Sequence, residues 1–222
     1  MINYPSILII GKPETEKNRV INNILYHYRK IPTSITVYPT ETLNLFSDFC
    51  KCYDINKTIL KNILIRQSMM IDRIKMSKKK KKLDQSTILV MDDCLTRKKS
   101  WTKDKNVMEI SMYNRCYMLI YVLTMQTIRG LVSDLCLNFN YVFLLKEDSV
   151  KEKIKLWKKF GSTFESFAIF EKIFDECTKD NRVMVIDNLQ NTIFWFRADE
   201  DIFNSASDKS QTKFIKWHYA HK

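Results

Sequence analysis

Residues 6–18 read Ser-Ile-Leu-Ile-Ile-Gly-Lys-Pro-Glu-Thr-Glu-Lys-Asn, and this stretch decides the fold. The run Ser6–Ile10 is apolar almost throughout and stops at Gly11. A run without polar alternation suits a strand covered on both faces, as in the middle of a parallel sheet. Pro13 follows, and over residues 16–30 the period changes. Val20, Ile21, Ile24, Leu25 and Tyr28 now fall at helical spacing. A buried strand, a short polar loop and an amphipathic helix form the opening unit of an alternating α/β chain.

The same alternation continues outward. Residues 34–38 read as a second strand, with Ile35 and Val37 alternating and Pro39 stopping it. Residues 58–76 form a helix with Ile59, Ile63, Met70 and Ile74 near one face. Residues 87–91 are a second apolar strand, ending at Asp92-Asp93. A helix over 106–114, a strand over 117–124 ending near Gln126, a helical turn near 128–135 and a strand over 141–145 follow. Residues 150–160 and 163–174 are helical, with Trp157, Phe160, Phe164, Phe167, Phe170 and Phe174 mostly facing inward. Residues 182–186 and 192–197, separated by 187–191, predict a hairpin. The expected fold class is α/β, a mostly parallel central sheet with helices on both faces and a C-terminal hairpin. Residues 1–199 are expected to form one domain and residues 200–222 a basic tail. Ligands of such sheets bind at the carboxyl ends of the strands. Gly11, Asp92, Asp93 and Gln126 all fall at such ends.

Bulk properties narrow the partners. The chain has 222 residues, 45% hydrophobic and 28% charged, which suits one α/β domain with a core of its own. Its apolar runs, such as 7–10 and 117–123, are far shorter than the ~20 residues that span a bilayer, so no membrane span is expected. The first residues lack a basic start and a cleavage site, so no signal peptide is expected. Of the six cysteines only Cys50 and Cys52 are close in sequence, without a nearby His or second pair. That predicts buried thiols in a reducing compartment rather than a zinc site. The net charge of +12 favours a polyanion, nucleic acid first and anionic membrane second. An A+T-rich genome would give the same lysine-rich balance. With only three glycines, each is expected where no other residue fits. The five lysines of residues 78–82 predict a solvated loop.

Four elements carry chemistry. Gly11-Lys12-Pro13-Glu14-Thr15-Glu16-Lys17-Asn18 matches the P-loop pattern G-x-x-x-x-G-K-[ST] at Gly11 and Lys17. In that pattern backbone N–H groups at a helix N-terminus cradle phosphates and the lysine neutralises them. Glu16 replaces the second glycine. Asn18 replaces the hydroxyl residue and offers Mg²⁺ a carbonyl oxygen instead. An ordinary strand–turn–helix whose turn contains lysine reads the same. The strand end Asp92-Asp93 has the form of a Walker B site. Asp92 would hold Mg²⁺ and Asp93 would orient or deprotonate water; an acid-rich turn is the plainer alternative. Gln126, two residues after Thr124, suits a sensor that touches the γ-phosphate and the water. It requires a sensor strand between the P-loop and Walker B strands. The plainer reading is a capping threonine and a surface glutamine. Arg115, just before that strand, would reach a neighbouring subunit's γ-phosphate, or is a surface arginine. Their order along the chain, each at a strand end, predicts a P-loop NTPase.

On these residues the chain resembles the FtsK/HerA-type genome-packaging ATPases of the large nucleocytoplasmic DNA viruses and their virophages. The resemblance is carried by ILIIGKPETEKN (7–18), ILVMDDC (88–94), NRCYMLIYVLTMQ (114–126), NFNYVFLL (138–145) and VMVIDNLQNTIFWFRAD (183–199). It implies an ATP- and Mg²⁺-dependent, ring-forming translocase of double-stranded DNA that works with capsid or portal components, in the host-cell cytoplasm or the virion. In that reading Lys17 binds the β- and γ-phosphates, Asp92 holds Mg²⁺, Asp93 activates water, Gln126 is the sensor and Arg115 a finger supplied in trans. Glu14, Glu16 and Asn18 depart from the family's loop. Cys116 stands where a histidine is common and Cys136 where a second arginine often occurs. These departures bear on nucleotide affinity and turnover. They leave two functions open: an active packaging ATPase, or a catalytically impaired P-loop protein that binds DNA or packaging components. The acidic substrate motif and arginine-rich lid of a nucleotide kinase are missing from the sequence. The lysine run and the tail are expected to contact DNA phosphates without reading sequence.

Overall fold

The computed structural model describes residues 3–13, 15–38, 51–54, 57–76, 85–94, 104–131, 133–198 and 215–217. Glu14, Cys50, the lysine run 78–82 and most of the proposed tail lie outside the described residues. The strands are β1 (Ser6–Ile10), β2 (Thr33–Tyr38), β3 (Lys51–Asp54), β4 (Thr87–Met91), β5 (Leu119–Met125), β6 (Tyr141–Leu144), β7 (Arg182–Asp187), β8 (Thr192–Arg197) and β9 (Ile215–Trp217). The helices are α1 (Lys17–His27), α2 (Lys57–Met76), α3 (Lys105–Tyr113), α4 (Ser133–Leu137), α5 (Val150–Phe160) and α6 (Phe167–Cys177). The strands form one mixed, mostly parallel sheet in the order β3-β2-β4-β5-β1-β6-β7-β8-β9. The chain runs outward from β1 to β2 and on to the edge strand β3, then returns through β4 and β5. Right-handed connections in both directions put helices on both faces of such a sheet. As expected, β5 lies between β4 and β1.

The chain divides into two compact units, and the division passes through β1 and β5. The first unit comprises Met1–Ile7, Tyr28–Thr124 and Arg129–Phe139. Here β2 pairs in parallel with β3 and β4, and β4 pairs in parallel with β5 from Thr87↔Leu119 to Met91↔Leu123. Every residue of β4 and β5 is buried, which is why both read as unbroken apolar runs. Each such Ile, Leu or Val contributes about 1.5–3 kcal/mol by leaving water. Tyr121 is fully buried and stacks on Phe139, their ring centroids 5.8 Å apart. The helix α2 is pinned to the sheet by polar side chains. Arg66 donates to the Thr33 and Thr87 hydroxyls at 3.2 and 3.1 Å. The buried Gln67 amide donates to the carbonyls of Gln85 and Tyr117 at 3.1 and 2.8 Å. Asp104 caps α3 by accepting from the Asn106 N–H at 2.9 Å. The strand expected over 117–124 begins only at Leu119. Its first residues instead close a turn, with Met118 N–H donating to Arg115 O at 3.1 Å and Met118 at φ 54°.

The second unit comprises Leu8–His27, Met125–Ile128 and Asn140–Lys222. Antiparallel pairings join β6 to β7, β7 to β8 and β8 to β9. The β7–β8 hairpin is closed by Asp187, whose Oδ1 accepts from the N–H groups of Leu189 and Gln190 at 2.9 and 3.1 Å. This is an Asx-type turn, and Asn191 beyond it takes φ 50°. The helices α5 and α6 share an aromatic cluster. Phe170 stacks on Phe174 at 5.5 Å and meets Phe164 edge-on at 5.3 Å, and Trp157 meets Phe167 at 5.9 Å. The helix expected from residue 163 starts at Phe167, where the Ser166 hydroxyl accepts from Ile169 N–H. Two strands, β3 and β9, have no counterpart in the sequence reading.

Candidate functional site

The second unit contains the phosphate-loop candidate. Gly11 ends β1, and its N–H donates to Met125 O at 3.0 Å. A Cβ on Gly11 would lie 2.8 Å from Thr15 Oγ1 and 2.9 Å from Leu145 Cβ. The glycine is therefore required by close packing, whereas Gly130, at φ 85°, is required by its backbone. The loop turns on Thr15, whose hydroxyl donates to Lys12 O at 2.6 Å. Lys17 then opens α1 and is only 6% exposed. Asn18 and Pro13 are exposed. Glu16 is drawn along the helix into an ion pair with Arg19 at 2.9 Å. Lys12 pairs with Glu147 at 2.6 Å, a contact that holds its ammonium above the ordinary lysine value.

Two clefts of this unit adjoin the loop. A narrow one of about 20 Å³, the size of one water, is lined by Gly11, Lys12, Gln126 and Glu147 among others. The structure places Gln126 beside the loop, with its side chain exposed. A wider cleft of about 580 Å³ runs from Thr15 and Glu16 past Lys146, Lys153 and Arg182. Clefts of ~300–1,000 Å³ accommodate cofactor-sized ligands. On its wall Lys153, a nearly buried lysine, bonds Asp175 at 2.6 Å and Glu171 at 3.5 Å. Burial pulls its ammonium down, but the two carboxylates outweigh burial and leave it above the ordinary value. The Arg182 guanidinium lies 4.9 Å from the centre of the Trp195 ring. Lys153, Asp175 and Arg182 were not singled out from the sequence, since they come from α5, α6 and β7 and share no motif.

The first unit contains the paired acids. Asp92 still follows the strand, its N–H donating to Val37 O at 3.0 Å. Asp93 leaves it in the left-handed region at φ 49°, which Asp tolerates better than most residues. Thr124, fully buried in β5, lies against both acids. Its hydroxyl donates to Asp92 Oδ1 and accepts from the Asp93 N–H at 3.1 Å. Cys94 closes the turn, its thiol donating to Val37 O at 3.0 Å. Burial, with Asp92 and Asp93 nearby, pushes that thiol well above its ordinary value and keeps it protonated. Arg115 is exposed and lies before the other end of β5. With β4 and β5 parallel and in register, the length of the strands, ~16 Å, separates it from Asp92 and Asp93. Within this unit the structure does not bring Arg115 to the acids.

Hard oxygen donors suit Mg²⁺, which is usually held by one or two carboxylates together with substrate phosphates rather than by a protein cage. Asp92 and Asp93 stand at a strand end, and among the described residues no group of three or more His, Cys, Asp or Glu side chains could hold a metal. No helix among the described residues is long and apolar enough to cross a membrane.

No protein-family model matches the chain. It is 44% identical over 216 residues to the uncharacterized protein L437 of Acanthamoeba polyphaga mimivirus, covering 92% of this chain and 76% of that protein. It is 25% identical to the uncharacterized protein 015R of Frog virus 3, covering 86% of this chain and 61% of that one. Among solved structures it resembles the genome packaging NTPase B204 of Sulfolobus turreted icosahedral virus 2 in complex with AMPPCP. That match has a TM-score of 0.62 at 13% identity and covers 88% of this chain and 98% of that one. With the order β4-β5-β1 and the loop after β1, these matches show that the chain shares the fold of the genome packaging NTPase B204 and belongs to the family of mimivirus L437.

Proposed function

We propose that this protein is an ATPase that drives double-stranded DNA into preformed capsids. The observation that carries the reading is Lys17, 6% exposed at the N-terminus of α1 and reached from β1 through a close-packed glycine. A helix N-terminus favours anions, and an almost buried lysine placed there suits the phosphates of a nucleotide. The cleft of about 580 Å³ beside Thr15 and Glu16 has room for the ribose and base. That B204 was solved with a nucleotide analogue supports ATP as the ligand.

In this reading Gly11, Lys12, Pro13, Glu14, Thr15, Glu16, Lys17 and Asn18 form the nucleotide loop. Asp92 and Asn18 hold Mg²⁺, which when bound neutralises phosphate charge. Asp93 accepts the proton of the attacking water, and Gln126 orients that water. Arg115 serves a neighbouring copy in a ring, a role consistent with its distance from Asp92 and Asp93 in its own subunit. The lysines of residues 78–82 and the basic residues of 200–222 contact DNA phosphates, which fits the net charge of +12. Capsid or portal components complete the machine, in the infected cytoplasm or the virion. Glu16 favours a second reading, a binding component with impaired turnover, because a carboxylate stands where phosphate must approach.

Steady-state ATP hydrolysis with Mg²⁺, with and without double-stranded DNA, tests the proposal on wild type, Lys17→Ala and Asp93→Asn. DNA-stimulated turnover that is lost in both variants is the expected result. A folded wild type that binds ATP through Lys17 without turning it over establishes the second reading. A wild type and a Lys17→Ala variant with the same response to ATP refute both.

A further inference from the structure

The hydroxyl of Thr124 has one hydrogen and two lone pairs, and the geometry commits it to two consecutive acids. It donates to Asp92 Oδ1 and accepts from the backbone N–H of Asp93 at 3.1 Å. Donation to Oδ1 fixes the direction in which the Asp92 carboxyl group points. Acceptance from Asp93 N–H holds the residue that departs from the strand at φ 49°. The register Met91↔Leu123 places Thr124 beside Asp92 in the neighbouring strand, and its side chain is fully buried. On the other side the turn is held by Val37 O, which accepts from Asp92 N–H at 3.0 Å and from the Cys94 thiol at 3.0 Å. A buried threonine can meet its hydrogen-bonding need with a single backbone carbonyl. Here the same hydroxyl instead joins the side chain of the first acid to the backbone of the second.

We propose that Thr124 is a positioning residue for the hydrolytic site. It orients Asp92 for the cation and fixes the backbone turn from which Asp93 acts. The inference rests on the reading of Asp92 and Asp93 given above. It assigns to β5 a role separate from that of Gln126, two residues later: Gln126 faces the loop of the second unit, and Thr124 faces the acids of the first.

The test compares Thr124→Val, which keeps the shape and removes the hydroxyl, with Thr124→Ser, which keeps the hydroxyl. Removal of such a supporting partner typically lowers metal affinity or activity by about 10–100-fold. Thr124→Val is expected to lose kcat by that factor, with KM for ATP within about threefold of wild type. Thr124→Ser is expected to recover most of kcat. A purely structural threonine would lower the melting temperature without this kcat-against-KM split. Mn²⁺ alone, followed by electron paramagnetic resonance, gives a readout independent of turnover. Its affinity is expected to fall about 10-fold or more in Thr124→Val and to return in Thr124→Ser. If Thr124→Val does not fold, Thr124→Ala takes its place. Turnover and Mn²⁺ affinity unchanged in Thr124→Val overturn the proposal, as does a serine variant no better than the valine one. A wild type that binds Mn²⁺ without hydrolysing ATP overturns only the ATPase reading, and the metal affinities still decide the role of Thr124. A wild type that does neither overturns both.

Discussion

Gly11→Ala is the substitution whose effect the structure specifies most closely. The added Cβ would sit 2.8 Å from Thr15 Oγ1, 2.9 Å from Leu145 Cβ and 3.0 Å from Leu145 Cδ2. Of these atoms only Leu145 Cδ2 is the free end of a flexible side chain. The Thr15 hydroxyl is tied to Lys12 O at 2.6 Å, and Leu145 is anchored by its N–H donating to Ile10 O at 2.9 Å. Relief must therefore come from breaking the loop's hydrogen bond or from moving the backbone after β6. Breaking the bond costs about 0.5–1.5 kcal/mol, and overpacking of this kind about 1–3 kcal/mol. Since one route or the other is taken, the expected loss is about 0.5–3 kcal/mol. At about 2–4 °C per kcal/mol for a chain of this size, the melting temperature should fall by about 1–12 °C. The assay is thermal unfolding followed by circular dichroism, repeated with ATP and Mg²⁺. A ligand at 100 times its Kd adds about 2.7 kcal/mol to wild type, and the variant should lose most of that gain because the loop that receives it has shifted. Gly130→Ala is the control, since nothing among the described residues lies within 4 Å of its added Cβ and the cost there is one of backbone. It should lower stability by about 1–2 kcal/mol and leave the ATP response intact. A Gly11→Ala variant with wild-type melting temperature and wild-type ATP response would refute the close-packing argument.

Glu16→Gly should tighten ATP binding by about tenfold, the effect of removing one like charge near the phosphates at intermediate dielectric. The lost pair with Arg19 is a surface one and should cost at most about 1 kcal/mol. Calorimetry that finds an unchanged Kd would show that Glu16 does not oppose the nucleotide. Tyr117 donates to Glu109 Oε1 at 2.5 Å, and that bond pushes the phenol up to about 12. A group raised in the fold contributes stability that is present below its ordinary value of 10 and lost as pH rises through about 12. Wild type should therefore lose more stability than Tyr117→Phe between pH 10 and 12, and parallel denaturant midpoints across that window would contradict the assignment.

The strands that were legible in the sequence share one property. In β1 and β4 every residue is buried, so the sequence carries an unbroken apolar run and the bounds follow from it directly. The α5 helix was legible for the complementary reason, a strong apolar stripe ended by Gly161. The β3 strand, Lys-Cys-Tyr-Asp, has neither run nor alternation, and its parallel pairing with β2 is a choice of the tertiary fold. The same holds for β9, three residues of a basic stretch that pair with β8. Among the candidate residues, Gly11, Asp92, Asp93 and Gln126 were legible because each stands at the end of a strand that could be read, and Lys17 because it keeps its place in the loop pattern. Thr124 was read only as a capping residue, since its two bonds reach residues 31 and 32 positions away.

The sequence by itself determined the α/β alternation, the strand ends and the residue types gathered there, since all of these depend on local periodicity. The tertiary structure decided what those residues face. It placed the Glu16 carboxylate on Arg19 and the Lys12 ammonium on Glu147, put Leu145 against Gly11, and set Thr124 between two acids. Most of these contacts join segments far apart in the chain. Burial and electrostatics at such points depend on which strand lies beside which, and no local pattern in the sequence encodes that order.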